Sequence, residues 1–169
     1  MGLEFDGRLS EDFKLTSGTW VNVGSVRVRA ISAGGPIIQD AVVTGHNLDE
    51  IGLLVFPNVD GCRTLCADIP ADAPLASLIG DPRVRRRIED ALRTLAKESS
   101  GGSTLPKRVL ILDEPPSIDG NEITDKGYIN QRAVLMRRAA LVERLHAPDP
   151  DPEVILASQP QQERQLLRA

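Results

Sequence analysis

Aromatic side chains are scarce: three Phe, one Trp and one Tyr make up 3% of 169 residues. That excludes a base-stacking platform for single-stranded nucleic acid, and it leaves aliphatic side chains and alanine to fill the core. Cysteine and histidine number two each. Cys62 and Cys66 lie four apart with no second CxxC pair and no spaced His cluster, so a structural zinc site is not expected. They read as two reduced thiols in or near the core, and His46 and His146 would share a metal only if folding converged them. No run approaches the ~18 apolar residues of a spanning helix, and Met1 to Phe5 lacks a basic-then-apolar secretion pattern, so a cytoplasmic chain without a membrane partner is expected. Basic residues do not dominate: 20 Lys and Arg against 24 Asp and Glu give a net charge of −4, which offers nonspecific nucleic-acid binding no footing. A Gly-rich phosphate loop of the P-loop kind is also missing.

What is present fits one compact domain with a tail. The segment from Phe5 to Val23 alternates around Thr16-Ser17-Gly18 and predicts a β-hairpin. Val26 to Ile31 predicts a short helix before the breaker Gly34-Gly35-Pro36. Ile37 to Thr44 and Ile51 to Phe56 are β-branched runs joined by a polar connector, which predicts adjacent antiparallel strands. Pro57 to Pro82 reads as loop with one helical turn at Leu75 to Ile79. Asp81-Pro82 then opens a helix whose stripe is Val84, Ile88, Leu92 and Leu95. Arg108 to Leu112 is a further strand. A second helix starts near Asn130 with Ala133, Val134, Ala140, Leu141 and Leu145 on its apolar stripe and Arg132, Arg137 and Arg138 off it. The sum is α+β: a small sheet of about three strands with flanking helices, preceded by a hairpin, over residues 1–147 (hairpin 5–23, core 24–147). Residues 148–169 form a Pro- and Gln-rich tail with a short helix expected at Gln161 to Arg168. Trp20 is expected to anchor the core.

Two polar segments are hard to explain as packing. One is Gly7-Arg8-Leu9-Ser10-Glu11-Asp12-Phe13-Lys14, running on to Gly18-Thr19-Trp20-Val21. The other is Glu122-Ile123-Thr124-Asp125-Lys126-Gly127-Tyr128-Ile129-Asn130-Gln131-Arg132. A lysine on a loop tip delivers a mobile point charge to phosphate oxygens, and a glycine after it lets backbone approach a ligand closely.

In their pairing and order these segments resemble the signatures of the small C-terminal domain of adenylate-forming enzymes, and within that superfamily they are most similar to feruloyl-CoA synthetases. The resemblance covers about residues 4–145. It implies a C-terminal lid domain of a carboxylate–CoA ligase that uses ATP, magnesium and CoA in two steps, with no cofactor tightly held by this chain alone. Lys126 matches the adenylation lysine, and its implied role is electrostatic clamping of charge on the α-phosphate and carboxylate. Arg8 matches the arginine near the ribose hydroxyls, and Gly18 the turn glycine facing the pantetheine passage, as cofactor-binding residues. Ser10 and Glu11 are the candidate hinge positions. No metal ligand is implied.

The implied partners are the N-terminal adenylation domain of the same enzyme and a carboxylic acid, ferulate by resemblance. That larger domain would hold the phosphate loop and both substrate pockets, so the isolated chain is expected to be inactive; the closeness of Arg8 to Met1 suggests a cut at the domain junction. Two other readings stand beside this one. A lid-fold module could act with a separate partner, or a small enzyme could use Lys126, Asp125 and Glu122 as acid and base, which requires a closed pocket around them. Arg83, Arg85, Arg86 and Arg87 could meet a CoA phosphate, but interleaved with Glu89 and Asp90 they read as a solvated face.

Overall fold

A computed structural model describes residues 11–98, 105–149 and 151–157. The hairpin comes first, with strands β1 (Phe13–Lys14) and β2 (Trp20–Val21) pairing Phe13 with Val21 and Lys14 with Trp20. Successive strand residues face opposite ways. Phe13 and Val21 are therefore buried, and Trp20 stands out with 62% of its surface exposed. This corrects the expectation that Trp20 anchors the core. Its register partner Lys14 instead holds its ammonium 5.0 Å from the ring centroid, a cation–π pair on the surface.

Helix α1 (Val23–Gly34) is longer than the sequence pattern suggests, because Asn22 caps it by accepting from the Ser25 N–H at 2.8 Å. The Asp12 carboxylate adds an acceptor for the Val23 N–H at 3.0 Å, which welds the hairpin to the helix start. Strands β3 (Ile38–Thr44) and β4 (Ile51–Pro57) pair antiparallel as expected. The stretch read as loop contains helix α2 (Val59–Leu65), capped by Asn58 through the Gly61 N–H at 2.8 Å, and helix α3 (Leu75–Ile79), where the turn was expected. Helix α4 (Pro82–Glu98) buries Val84, Ile88, Leu92 and Leu95, with Asp81 accepting from the Arg83 N–H at its start.

Strand β5 (Pro106–Ile111) lies parallel to β4. Helices α5 (Gln131–Arg137) and α6 (Ala139–His146) follow, divided at Arg138, where one continuous helix was expected. Among the described residues the sheet has four strands rather than about three, because β6 (Ile155–Leu156) pairs antiparallel with β5. Composition marks that segment as tail, yet Val154 and Ile155 are buried and Arg85 donates to the carbonyls of Pro152 at 2.8 Å and Val154 at 3.0 Å. The helix expected at Gln161 to Arg168 lies outside the described residues.

Both faces of the sheet are covered, which explains why β3 and β4 read as continuous apolar runs rather than alternating ones. Val43, Leu53, Val55 and Val109 face α1, α2 and α4, and Cys62 and Cys66 lie in this core as free, buried thiols. Val42, Leu54, Phe56 and Leu110 face α5 and α6. Among the described residues no helix is long and apolar enough to cross a membrane.

Candidate active-site hairpin

Lys126 sits at the tip of a tight hairpin. Ile123 and Ile129 bridge antiparallel at its base, the Thr124 N–H donates to the Tyr128 carbonyl at 2.8 Å, and the Gly127 N–H donates to the Thr124 carbonyl at 2.9 Å. Thr124 Oγ1 also accepts from the Tyr128 N–H at 3.1 Å. Gly127 closes the turn at φ +85°, a backbone state that suits glycine, and open space surrounds the position a Cβ would take. Lys126 is exposed, and among the described residues it is in no ion pair.

The base of this hairpin is as buried as its tip is open. Glu122 has no exposed surface. Its carboxylate accepts from Arg138 through Nε at 2.8 Å and Nη2 at 2.9 Å, from the Ser117 N–H at 2.9 Å, and pairs with Arg137 at 3.0 Å. The Arg138 hydrogen bonds, more than offsetting burial, hold this carboxyl below its usual range. Glu122 is buried and ion-paired at the root of the hairpin, whereas Asp125 and Lys126 stand exposed at its tip, which is not the closed pocket that the acid–base reading requires. Arg138 also donates to the carbonyls of Glu114 at 3.1 Å and Pro115 at 3.0 Å and lies 5.1 Å from the Phe56 ring centroid. Next along the chain, Asn130 caps α5 through the Ala133 N–H at 3.2 Å. A groove of about 410 Å³ opens beside the hairpin, lined in part by Phe56, Leu112, Pro116, Ile123 and Gly127.

Gly18 occupies the turn of the first hairpin at φ +86°, where its N–H donates to the Leu15 carbonyl at 2.9 Å and a Cβ would meet nothing within 4 Å. That turn is tied to the β3–β4 connector: the Thr16 N–H donates to the Leu48 carbonyl at 3.0 Å, and Thr16 Oγ1 donates to Asp49 at 2.5 Å. The Lys126 hairpin borders the other end of these strands, near Gln39 and Pro57. The two glycine turns thus lie at opposite ends of seven-residue strands, roughly 20 Å apart along the strand direction at ~3.4 Å per residue. Glu11 is half-buried just before β1, while Arg8 and Ser10 lie outside the described residues.

The remaining candidates divide. Among the described residues no group of three His, Cys, Asp or Glu side chains could hold a metal. His46 packs on Phe13, with ring centroids 5.8 Å apart, and His146 shares a 2.6 Å hydrogen bond with Thr44 Oγ1. Of the basic run, Arg83 pairs with Asp81 and Asp68, Arg87 donates to the Gly35 carbonyl, and Arg85 is drawn inward to β6. Arg138 was expected off the apolar stripe of the helix that starts near Asn130, and the structure corrects that by burying it. Its signal was there: with Val134, Leu141 and Leu145 it falls at i, i+4, i+7 and i+11, so a cation stood on the apolar stripe and required a buried partner.

No protein-family model matches the chain. Two curated relatives are 2-C-methyl-D-erythritol 4-phosphate cytidylyltransferases from Dehalococcoides mccartyi, strains CBDB1 and ATCC BAA-2266 / KCTC 15142 / 195. Each is 30% identical over 125 residues, covering 72% of this chain and 54% of the relative. The chain thus spans about half the length of the curated relatives it matches. Among solved structures it is similar to the A domain of carboxylic acid reductase from Segniliparus rugosus in complex with AMP and a co-purified carboxylic acid, with a TM-score of 0.61 and 20% identity over 83% of this chain and 20% of that one. The adenylation domain of the carboxylate reductase from Mycobacterium chelonae gives a TM-score of 0.63 at 18% identity, again over 83% of this chain and 20% of that one. The chain therefore has an α+β fold that occurs within adenylation domains and makes up about a fifth of the length of those proteins.

Proposed function

We propose that the chain is the mobile C-terminal lid of an ATP-dependent carboxylate–CoA ligase, with Lys126 as its adenylation lysine. The observation that carries this reading is an exposed ammonium, in no ion pair among the described residues, at the tip of a hairpin with a fully buried root, on a fold found in adenylation domains. A cation so placed gains most when a partner surface closes over it, because exclusion of water strengthens its attraction to the α-phosphate and the attacking carboxylate. The nucleotide, its magnesium ion and the acid would be held by the larger adenylation domain; this chain offers no cluster of ligands for the metal among its described residues. Gly18, at the opposite end of the sheet, fits the second half-reaction, in which a turn without a side chain leaves a passage for the pantetheine arm of CoA. A lid that presents one end and then the other must swing, and Ser10 and Glu11 are the proposed pivot. Ferulate is the proposed acid, on the resemblance of the two signature segments alone.

In the ligase bearing this chain, Lys126→Ala should slow carboxylate-dependent ATP–pyrophosphate exchange by about 10²–10³-fold, the effect of losing one preorganised donor. Thioester formation from supplied acyl-adenylate should be largely kept. Equal loss in both half-reactions would reject the role of Lys126. The 30% identity to cytidylyltransferases favours a second reading, transfer of a cytidylyl group. Exchange supported by CTP and a phosphorylated alcohol, but not by ATP and a carboxylate, would select it.

A further inference from the structure

Glu122 and Arg138 lie outside the reacting groups, yet every segment that carries the Lys126 hairpin converges on them. Glu122 is the first residue of the ascending arm, and its carbonyl accepts from the Asn130 N–H at 2.8 Å where the descending arm enters α5. Its side chain accepts from the Ser117 N–H, and its N–H donates to the Ser117 carbonyl at 2.9 Å, so the loop before the hairpin closes on the same residue. Arg138 reaches this carboxylate from the break between α5 and α6 and spends its remaining donors on the Glu114 and Pro115 carbonyls at the exit of β5. Arg137 lies across Gly120, where a Cβ would meet its guanidinium, and completes the charge on the exposed side.

We infer that the Glu122–Arg138 pair positions the Lys126 hairpin, fixing its direction relative to the sheet through four acceptors in two chain segments, Glu114–Pro115 and Glu122. The inference rests on the proposed role of Lys126 and assigns that role two positioning residues. A buried carboxylate facing two guanidiniums is an expensive way to stabilise a fold, since an apolar replacement of similar volume would often do as well. What it supplies is direction: a planar fork locked to a carboxylate allows one orientation, where packed aliphatic chains allow several. The hairpin itself has few apolar contacts beyond Ile123 and Ile129. Without the pair, its tip would sample a range of directions while the sheet stayed folded.

Amide hydrogen exchange on the full chain separates this from a general structural role. In Glu122→Gln, which keeps the shape but removes the ionised acceptor, the Thr124, Gly127 and Asn130 amides should exchange about tenfold faster while the Leu54 and Val55 amides of β4 keep their rates. Arg138→Lys should behave the same way, because one ammonium cannot serve all four acceptors. Hairpin amides unchanged in both variants, or rising only in step with those of β4, would overturn the proposal. Should both variants fail to fold, Arg137→Gln removes the exposed cation alone, and the same two sets of amides decide with a smaller expected change of about threefold. In the ligase, Lys126→Ala should cost far less in the Glu122→Gln background than in the native one. If Lys126→Ala costs nothing even in the native background, the role of Lys126 fails while the exchange data still report on positioning.

Discussion

Gln131 pairs with Val43 as another strand would: its Oε1 accepts from the Val43 N–H at 3.0 Å, and its Nε2 donates to the Val43 carbonyl at 2.6 Å. Among the described residues β3 is an edge strand, so these two backbone groups face away from β4 and would otherwise invite a second chain. One side-chain amide caps the edge and ties the start of α5, and with it the descending arm of the Lys126 hairpin, to the sheet.

Gln131→Ala should therefore destabilise the chain by about 2–4 kcal/mol, the cost of leaving a buried donor and acceptor without partners. Gln131→Glu should cost less than alanine at low pH, where the protonated acid can both donate and accept, and more at neutral pH, where it faces the Val43 carbonyl with negative charge. Urea unfolding of the three proteins at pH 4 and pH 7 measures this. An alanine variant as stable as the native chain would mean that water replaces the amide without loss.

Acid should unfold the chain in stages whose order follows from the ionisable groups. Burial, with the nearby Arg108 cation, holds the His146 imidazole below its usual 6.5, so its contribution is complete above pH 6.5 and fades as pH falls through the folded value. Arg138 holds the Glu122 carboxyl below 4.5, so that contribution is complete above pH 4.5 and is lost below it. Hydrogen bonds from Arg83 hold Asp81 at about 2 against 3.8, and its contribution disappears between those values. Unfolding midpoints should fall gently from pH 6.5 and more steeply below pH 4.5, and Glu122→Gln should be less stable at pH 7 with the steep part reduced.

The strongly periodic elements were legible in the sequence because one rule governs each. The 3.6-residue stripe of α4 and the apolar runs of β3 and β4 need only burial, and burial is written in hydropathy. α2 was hidden because its 59–65 sequence, Val-Asp-Gly-Cys-Arg-Thr-Leu, has a glycine in the middle and owes its start to the Asn58 cap. β6 was hidden by its proline- and acid-rich surroundings; Arg85, distant in sequence, holds that segment down together with Arg144, which pairs with Asp151 seven residues on. At the candidate site, the tip was legible and the root was not. Lys126 and Gly127 announce a turn locally, whereas Glu122 and Arg138 find each other only after α5 has folded back.

The two thiols offer a test of packing. Burial, reinforced by the neighbouring Cys66, pushes the Cys62 thiol up to about 11, and burial pushes Cys66 up as well. Neither should react with a maleimide in the folded chain at pH 7.5 on the time scale of free cysteine, and both should react at once in urea. Cys62→Ala should be tolerated at a cost of about 1 kcal/mol, since it removes a small buried group from a filled core. Rapid labelling of the native protein would show that α2 opens readily.

The only tryptophan of the chain stands on the exposed face of the hairpin that carries Gly18, and this makes it a reporter on that turn. In the chain alone, Trp20 emission should be red-shifted and readily quenched by acrylamide, and unfolding should shift it little, because 62% of the side chain is already in water. Trp20→Ala should change stability by less than about 1 kcal/mol, the size of an exposed cation–π pair with Lys14. If this hairpin docks against a larger domain, joining the two should blue-shift the emission and protect it from quencher, while Lys126→Ala, at the other end of the sheet, should leave that shift intact. Blue emission from the chain alone would place Trp20 inside, and would remove the hairpin face as a surface that a partner covers.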